Sequence, residues 1–258
     1  MRVFSALAVL AAAACLSLGC HLISGVGDLQ FVDTGGSGGS GGHGHTTSTS
    51  SSDLGGGGHG GSTGGAGTCL ADLQDGFDGA ALDTGLWTES VSSVTTGVTG
   101  GHYFVQVPGQ TASAWGDIMS VATYDLQGCS VMIELVKALK DDGDATTVFS
   151  ILTGSWQDSS GFQITGGEFR CRVVVAGTET AAQAIPYVAA DHRWLRLRED
   201  SGTLFFETSL DALTWSIRYE TASPAYVSQA SIYMGAGSWT GTATHPGEAQ
   251  FDNVDLPP

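Results

Sequence analysis

The sequence has little positive charge. Nine Lys and Arg stand against 26 Asp and Glu in 258 residues, a formal net charge of −17. Nucleic acid is excluded as a partner on that ground, because neutralising phosphates supplies most of such affinity. No E-x-D-x-(x)-E run is present that would project paired carboxylates from one strand into one cleft. H-E-x-x-H is missing, as is any Cys/His set with zinc spacing. No long helical period and no internal repeat appear. The one long apolar run, Val3 to Leu18, is shorter than the ~20 residues needed to span a bilayer. These absences remove helical membrane proteins and zinc hydrolases from consideration. They leave no catalytic constellation and no required cofactor.

What is present begins at the N-terminus. Arg2 precedes the apolar run, which fits the h-region of a signal peptide over residues 1–19. The run ends Leu16-Ser17-Leu18-Gly19-Cys20. A small residue followed by Cys here resembles the bacterial lipoprotein signal. That resemblance implies cleavage before Cys20 and lipidation of its thiol, with Ser17 where Leu is usual and Cys15 as a second candidate. Several acyl chains would anchor the protein firmly. His21, where an inner-membrane lipoprotein carries Asp, points to the outer membrane or cell surface.

Residues 20–33 form the lipidated segment, and residues 34–67 a linker of Gly, Ser, Thr and His. Sixteen of those thirty-four linker residues are Gly, so the stretch cannot bury enough apolar surface to offset its ordering entropy. A flexible coil with an r.m.s. reach of ~30–35 Å is expected.

From residue 68 to 258 the composition becomes that of one globular domain. Apolar residues alternate over 129–135, 169–175 and 194–199, and 203–208 and 229–236 read similarly. The run 147–153 is apolar on both parities, as in a strand covered on both faces. Period two with regular turn signals predicts an all-β sandwich or barrel. Turns are expected at Asp141-Asp142-Gly143-Asp144, Ser159-Ser160-Gly161 and Asp200-Ser201-Gly202, and a short helix near 70–74 or 80–82.

Three motifs in order carry a family resemblance. The first is Asp75-Gly76-Phe77-Asp78-Gly79 with Leu82-Asp83 and Trp87. The second is His192-Arg193-Trp194-Leu195-Arg196-Leu197-Arg198, followed by Ser209-Leu210-Asp211 and Thr214-Trp215. The third is Phe251-Asp252-Asn253-Val254. Together they resemble the concanavalin A-like lectin/glucanase domains and imply an all-β, two-sheet antiparallel sandwich of the jelly-roll type. Ala212-Leu213 departs from the family, which usually has Gly there. Phe77, Trp87, Trp215 and Phe251 are expected in the core, and Ser209 and Asp211 in a turn.

Enzymes of this fold hydrolyse β-glucans with paired carboxylates on one strand. Here Glu134 and Glu207 each stand alone in a strand, so a non-catalytic binding module is expected. The alternatives are a glycoside hydrolase or lyase with a rearranged site, and an adhesive or structural protein. By parity Arg170 and Arg172 share a face, as do Trp194, Arg196 and Arg198. If those strands are neighbours, they present one Arg/Trp surface suited to a carbohydrate or another envelope component. Trp115, Trp156 and Tyr233 are candidates for its wall. The competing reading pairs those arginines with Glu207 and other acids along the strands. Asp75, Asp78 and Asp252 are candidate calcium ligands near the two chain ends. Three pairings are open among Cys69, Cys129 and Cys171, and Cys129 with Cys171 is expected because both lie on apolar strand faces.

Overall fold

A computed structural model describes residues 70–111 and 113–256. The expected signal peptide, lipidated Cys20 and linker, together with Cys69, lie outside the described residues. A 3₁₀ turn at Ala71–Leu73 opens the domain. Fourteen strands are described: β1 Trp87–Ser92, β2 Thr95–Thr99, β3 His102–Val107, β4 Ala114–Ser120, β5 Ser130–Lys137, β6 Ala145–Leu152 and β7 Ser159–Thr165. They continue as β8 Glu168–Val175, β9 Thr178–Pro186, β10 Trp194–Asp200, β11 Thr203–Ser209, β12 Trp215–Ala222, β13 Ser231–Ser238 and β14 Gly247–Asp252. One sheet runs β1-β4-β13-β6-β7-β8-β9 and the other β12-β11-β10-β5-β14-β3-β2, with every pairing antiparallel. The architecture is all-β, as the alternation predicts, and the two-sheet sandwich that the resemblance implies.

Short loops join many of the strands. Ser201 and Gly202 both take positive φ (53° and 83°) between β10 and β11, as a two-residue hairpin turn with matching twist requires. Gly166 and Gly167 do the same between β7 and β8. The turn expected at Ser159-Ser160-Gly161 is not there. Those residues are the buried start of β7, and the chain turns just before them, where Gly154 has φ 60°. A local Ser-Ser-Gly signal was outweighed by burial between β6 and β8.

The core lies between the sheets. Phe77, Trp87 and Phe251 are inside it, with Val131, Ile133, Leu195, Leu197, Phe149 and Phe162. Trp215 is not: it lies half-buried on the outer side of the second sheet. The two ends of the domain meet, since Asp75 N–H donates to Val254 O at 3.1 Å and Val254 N–H to Asp75 O at 2.8 Å. Cys171 is a free, buried thiol, pushed up to about 12 chiefly by burial. The expected Cys129–Cys171 pair is therefore not formed. Cys171 belongs to the first sheet and faces its core, whereas Cys129 precedes β5 of the second.

Candidate functional site

Strand β13 is buried on both faces, which a sheet with one solvated face does not require. Ile232, Met234 and Ala236 face the main core. Tyr233 faces the other way and joins Trp115, Val148 and Leu152 in a second apolar cluster, with Met119 and Trp156 against it. The outer face of the first sheet is thus a recessed surface with loop-borne walls.

Its floor follows from register. Across β4 and β13, Trp115 lies opposite Gly237, Asp117 opposite Gly235, and Met119 opposite Tyr233. Gly235 pairs onward with Val148 and Tyr233 with Ser150. Val148 meets Gln163 and Ser150 meets Gly161. Gln163 meets Arg170 and Gly161 meets Arg172. Four strand steps separate Asp117 from Arg170, roughly 19 Å at the usual spacing. The glycines make room for rings. A Cβ at Gly237 would sit 2.1 Å from Trp115 Cε3, and one at Gly235 would sit 2.7 Å from Asp117 Cβ.

Aromatic rings occupy that space in fixed geometry. The Trp115 indole N–H donates to the Tyr233 hydroxyl at 2.7 Å. Trp239 stacks on Trp115 with centroids 4.2 Å apart and planes at 19°. Trp156 meets Tyr233 edge-on at 4.7 Å. Asp117 is the carboxylate of this group. Burial lifts its carboxyl to about 6, against the nearby Tyr233 hydroxyl and Trp115 indole, with Glu89 adding to the lift. Desolvation, and then the Asp117 charge, keep the Tyr233 hydroxyl protonated far beyond the usual range. Directly opposite Asp117 lie Ser90 on β1 and Gly235 on β13, and Glu89, the next residue of β1, is near enough for its charge to raise the Asp117 carboxyl.

The sequence-derived site residues divide between two surfaces. Trp115, Trp156, Tyr233, Arg170 and Arg172 belong to the recessed face. Arg170 is paired with Glu168 at 2.6 Å, and Arg172 with Glu179 at 2.5 Å and Gln163 at 3.3 Å. Trp194, Arg196 and Arg198 are in the other sheet, because β10 pairs with β5 and β11 and not with β8. The single Arg/Trp surface is therefore not formed. Trp194 is 2% exposed. Arg196 and Arg198 both bind the buried Glu207, at 2.7 and 3.0 Å, and lie over the Trp215 and Phe205 rings. That is the alternative pairing along the strands. Glu134 is held likewise by Arg193 at 2.6 Å and by Asn253 Nδ2 at 2.8 Å.

The calcium trio is not assembled. Asp75 uses one oxygen for Phe77 N–H and the other for Trp87 Nε1, and Asp252 faces His102 at 3.2 Å. Among the described residues no three His, Cys, Asp or Glu side chains converge to hold a metal ion. A larger open hollow, about 570 Å³, is lined by Thr123, Gly154, Pro224 and Tyr226. Its carboxylate, Asp158, already accepts the Ala176 N–H, so it offers little chemistry.

Asp117, Trp239 and the glycines were missed in the sequence. A signal existed: Tyr233-Met234-Gly235-Ala236-Gly237 places two glycines on one strand face, a mark of close approach. Trp115-Gly116-Asp117-Ile118-Met119 alternates in the same way.

No protein-family model and no curated protein matches the chain. Solved structures share its fold. The Bacillus licheniformis β-glucanase matches with TM-score 0.54 at 14% identity, over 70% of this chain and 95% of that one. A prokaryotic β-1,3-1,4-glucanase (lichenase) from a mouse hindgut metagenome gives 0.53 at 12%, over 70% and 96%. A pseudo β-1,3-glucanase of Mycobacterium tuberculosis gives 0.53 at 11%, over 70% and 95%. At these identities the likeness is one of fold, and the fold is the concanavalin A-like jelly roll.

Proposed function

We propose that the domain is a non-catalytic carbohydrate-binding module whose recessed outer face takes a polysaccharide. The observation that carries this reading is the fixed aromatic set Trp115, Tyr233, Trp156 and Trp239 over a glycine floor. Rigid rings offer apolar faces to sugars at low entropic cost. Asp117 and Gln163 add hydrogen-bonding groups along the same face. A retaining glycosidase needs two carboxyl groups ~5–5.5 Å apart; directly opposite Asp117 stand Ser90 and Gly235, and the neighbouring acid of β1, Glu89, accepts the Tyr103 hydroxyl at 3.2 Å. The neighbours in fold include two glucanases and a pseudo-glucanase, which makes β-glucans the first probes.

A second reading, a hydrolase with a rearranged site, is favoured by one observation. Asp117 is largely buried among the rings, and that burial lifts its carboxyl to about 6, in the range of a general acid. One experiment separates the two. The full chain is incubated with a mixed-linkage β-1,3-1,4-glucan, a β-1,3-glucan and a polyuronate, and both retention and reducing-end release are read. Retention without release supports the module. Release that disappears in Asp117→Asn supports the hydrolase.

The same proposal places the domain outside the cell, held by lipid on Cys20 through the 34–67 linker. Labelling with a radioactive fatty acid should be lost in Cys20→Ala. Label that persists in that variant would remove the anchor from the proposal.

A further inference from the structure

The loop between β13 and β14, residues 239–246, is held by two carboxylates of the loop before β6. Asp144 accepts from Ser238 Oγ at 2.5 Å, from Thr242 Oγ1 at 3.1 Å and from the Thr240 backbone N–H. Asp142 accepts from Thr244 N–H at 2.9 Å, from Thr244 Oγ1 at 3.1 Å and from His245 N–H. At Asp144 burial opposes the charge, yet the Ser238, Thr240 and Thr242 donors outweigh it and hold the carboxyl below its usual range.

Trp239 stands between Ser238 and Thr240, both bound to Asp144. Its carbonyl accepts Ser113 N–H at 3.2 Å, and its ring lies flat on Trp115. The side chain is nonetheless 43% exposed. Burial of the rest of the ring on Trp115 contributes to folding, and the exposed part is left open to a ligand. Fixing an exposed ring in advance does lower the entropic cost of stacking a ligand on it.

We infer that Asp144 is a positioning residue of the binding face, which by gripping Ser238 and Thr240 holds Trp239 on Trp115 as a rigid stacking platform at the rim. The inference rests on the recessed face being the binding face. Asp142 grips Thr244 and His245, further along the loop, and does not set the ring.

The test has a spectroscopic and a binding arm, both on the full chain well below each variant's melting temperature. Two stacked indoles couple their transitions and give a paired band in circular dichroism. That band should vanish in Trp239→Phe, which identifies it. It should vanish in Asp144→Ala and persist in Asp142→Ala, although both lower the melting temperature. Retention on the mixed-linkage β-glucan should fall about tenfold or more in Asp144→Ala and Trp239→Ala, and hold in Asp142→Ala. If Asp144→Ala does not fold, Ser238→Ala removes a single donor and must weaken the band. A band unchanged in Asp144→Ala, or lost equally in Asp142→Ala, overturns the inference. A wild-type protein that shows the band but retains no polysaccharide sinks the reading of the face, while the band still decides whether Asp144 sets Trp239.

Discussion

Tyr233 and Trp115 lie on paired strands two register steps apart on one face, and the Tyr233 side chain leans across Gly235 so that its hydroxyl accepts the Trp115 indole N–H at 2.7 Å. The bond satisfies the polar end of two large rings that are 5% and 9% exposed. It depends on Gly235, where a Cβ would be 3.0 Å from the Tyr233 hydroxyl, and on Gly237 beneath Trp115.

The first prediction concerns that floor. Gly237→Ala would place a methyl 2.1 Å from Trp115 Cε3 and 2.3 Å from the Ala114 carbonyl oxygen. The carbonyl is backbone and cannot turn aside. Overpacking of this kind costs about 1–3 kcal/mol or more, read as a lower urea midpoint. Polysaccharide retention should fall with it, because Trp115 must leave its place under Trp239. An unchanged midpoint would show that the floor has slack.

Asp117 should trade stability for function. Its carboxyl titrates near 6 in the fold, against 3.8 when unperturbed, so the folded state holds the proton more tightly. Stability from this group therefore rises as pH falls through about 6 and levels off below about 4; above 6 the buried charge is a cost. Asp117→Asn should raise stability at pH 7.5 by about 1–2 kcal/mol. The gain should be gone at pH 4. A gain of the same size at both pH values would mean that Asn stabilises by packing and that the carboxyl is not the source.

His192 should act with the opposite sign. It is 2% exposed, stacked on Phe169 at 4.1 Å, and its Nδ1 accepts Val188 N–H at 3.1 Å, which requires that nitrogen to be unprotonated. Burial, helped by Arg218 and opposed by Asp191, lowers it to about 4. Its contribution is complete above about 6.5 and is lost as pH falls towards 4, because only the unfolded chain takes up the proton there. A loss of about 2–3 kcal/mol across that window is expected. His192→Gln should be less stable at pH 7 and lose less on acidification. Because Asp117 and His192 oppose each other in one window, difference curves of the single variants are the informative measurement.

Strand faces were legible in the sequence, and sheet membership was not. Alternation over 169–175 and 194–199 correctly puts Arg170 with Arg172 and Arg196 with Arg198. Parity is a local property, however. That β8 and β10 lie in different sheets is set by pairing between distant residues, such as Arg196 with Met132 in one sheet and Tyr233 with Ser150 in the other. The doubly apolar run at 147–153 was legible as a strand covered on both sides. What covers its outer side was not, because Trp156 and Trp239 come from loops whose course no periodicity records.

The departure at Ala212 carries its own prediction. Ser209 and Asp211 form the expected turn, with Asp211 Oδ1 accepting Leu213 N–H at 2.9 Å and Thr214 N–H at 2.8 Å. Within it Ala212 takes φ 56°, the left-handed region, which costs an L-residue roughly 1–2 kcal/mol. Glycine relieves that strain and gives back part of it in chain entropy. Ala212→Gly should therefore stabilise the domain by roughly 0.5–1 kcal/mol, seen as a higher urea midpoint. A lower midpoint would mean that the buried Ala212 methyl contributes more than its backbone strain costs.

The last prediction concerns the second sheet, where the sequence pointed to binding and the structure shows a packed ion-pair ladder. Trp194 is almost fully buried, and Trp194→Ala should cost about 3–5 kcal/mol. Arg196 shares Glu207 with Arg198 and covers Trp215 at 4.0 Å, so Arg196→Ala loses packing as well as charge. Glu207→Ala leaves two arginines facing each other without their common partner and should be the most damaging of the charge removals, about 3–5 kcal/mol. None of these side chains lies on the recessed face, so the folded fraction of each variant should retain polysaccharide as the wild type does. Retention per folded molecule is the quantity to measure, with folding read by urea titration on the same samples. If Arg196→Ala lost retention while its midpoint stayed unchanged, the binding surface would move to this sheet. The Trp115–Trp239 stack would then be a packing contact, with Trp239 left 43% exposed.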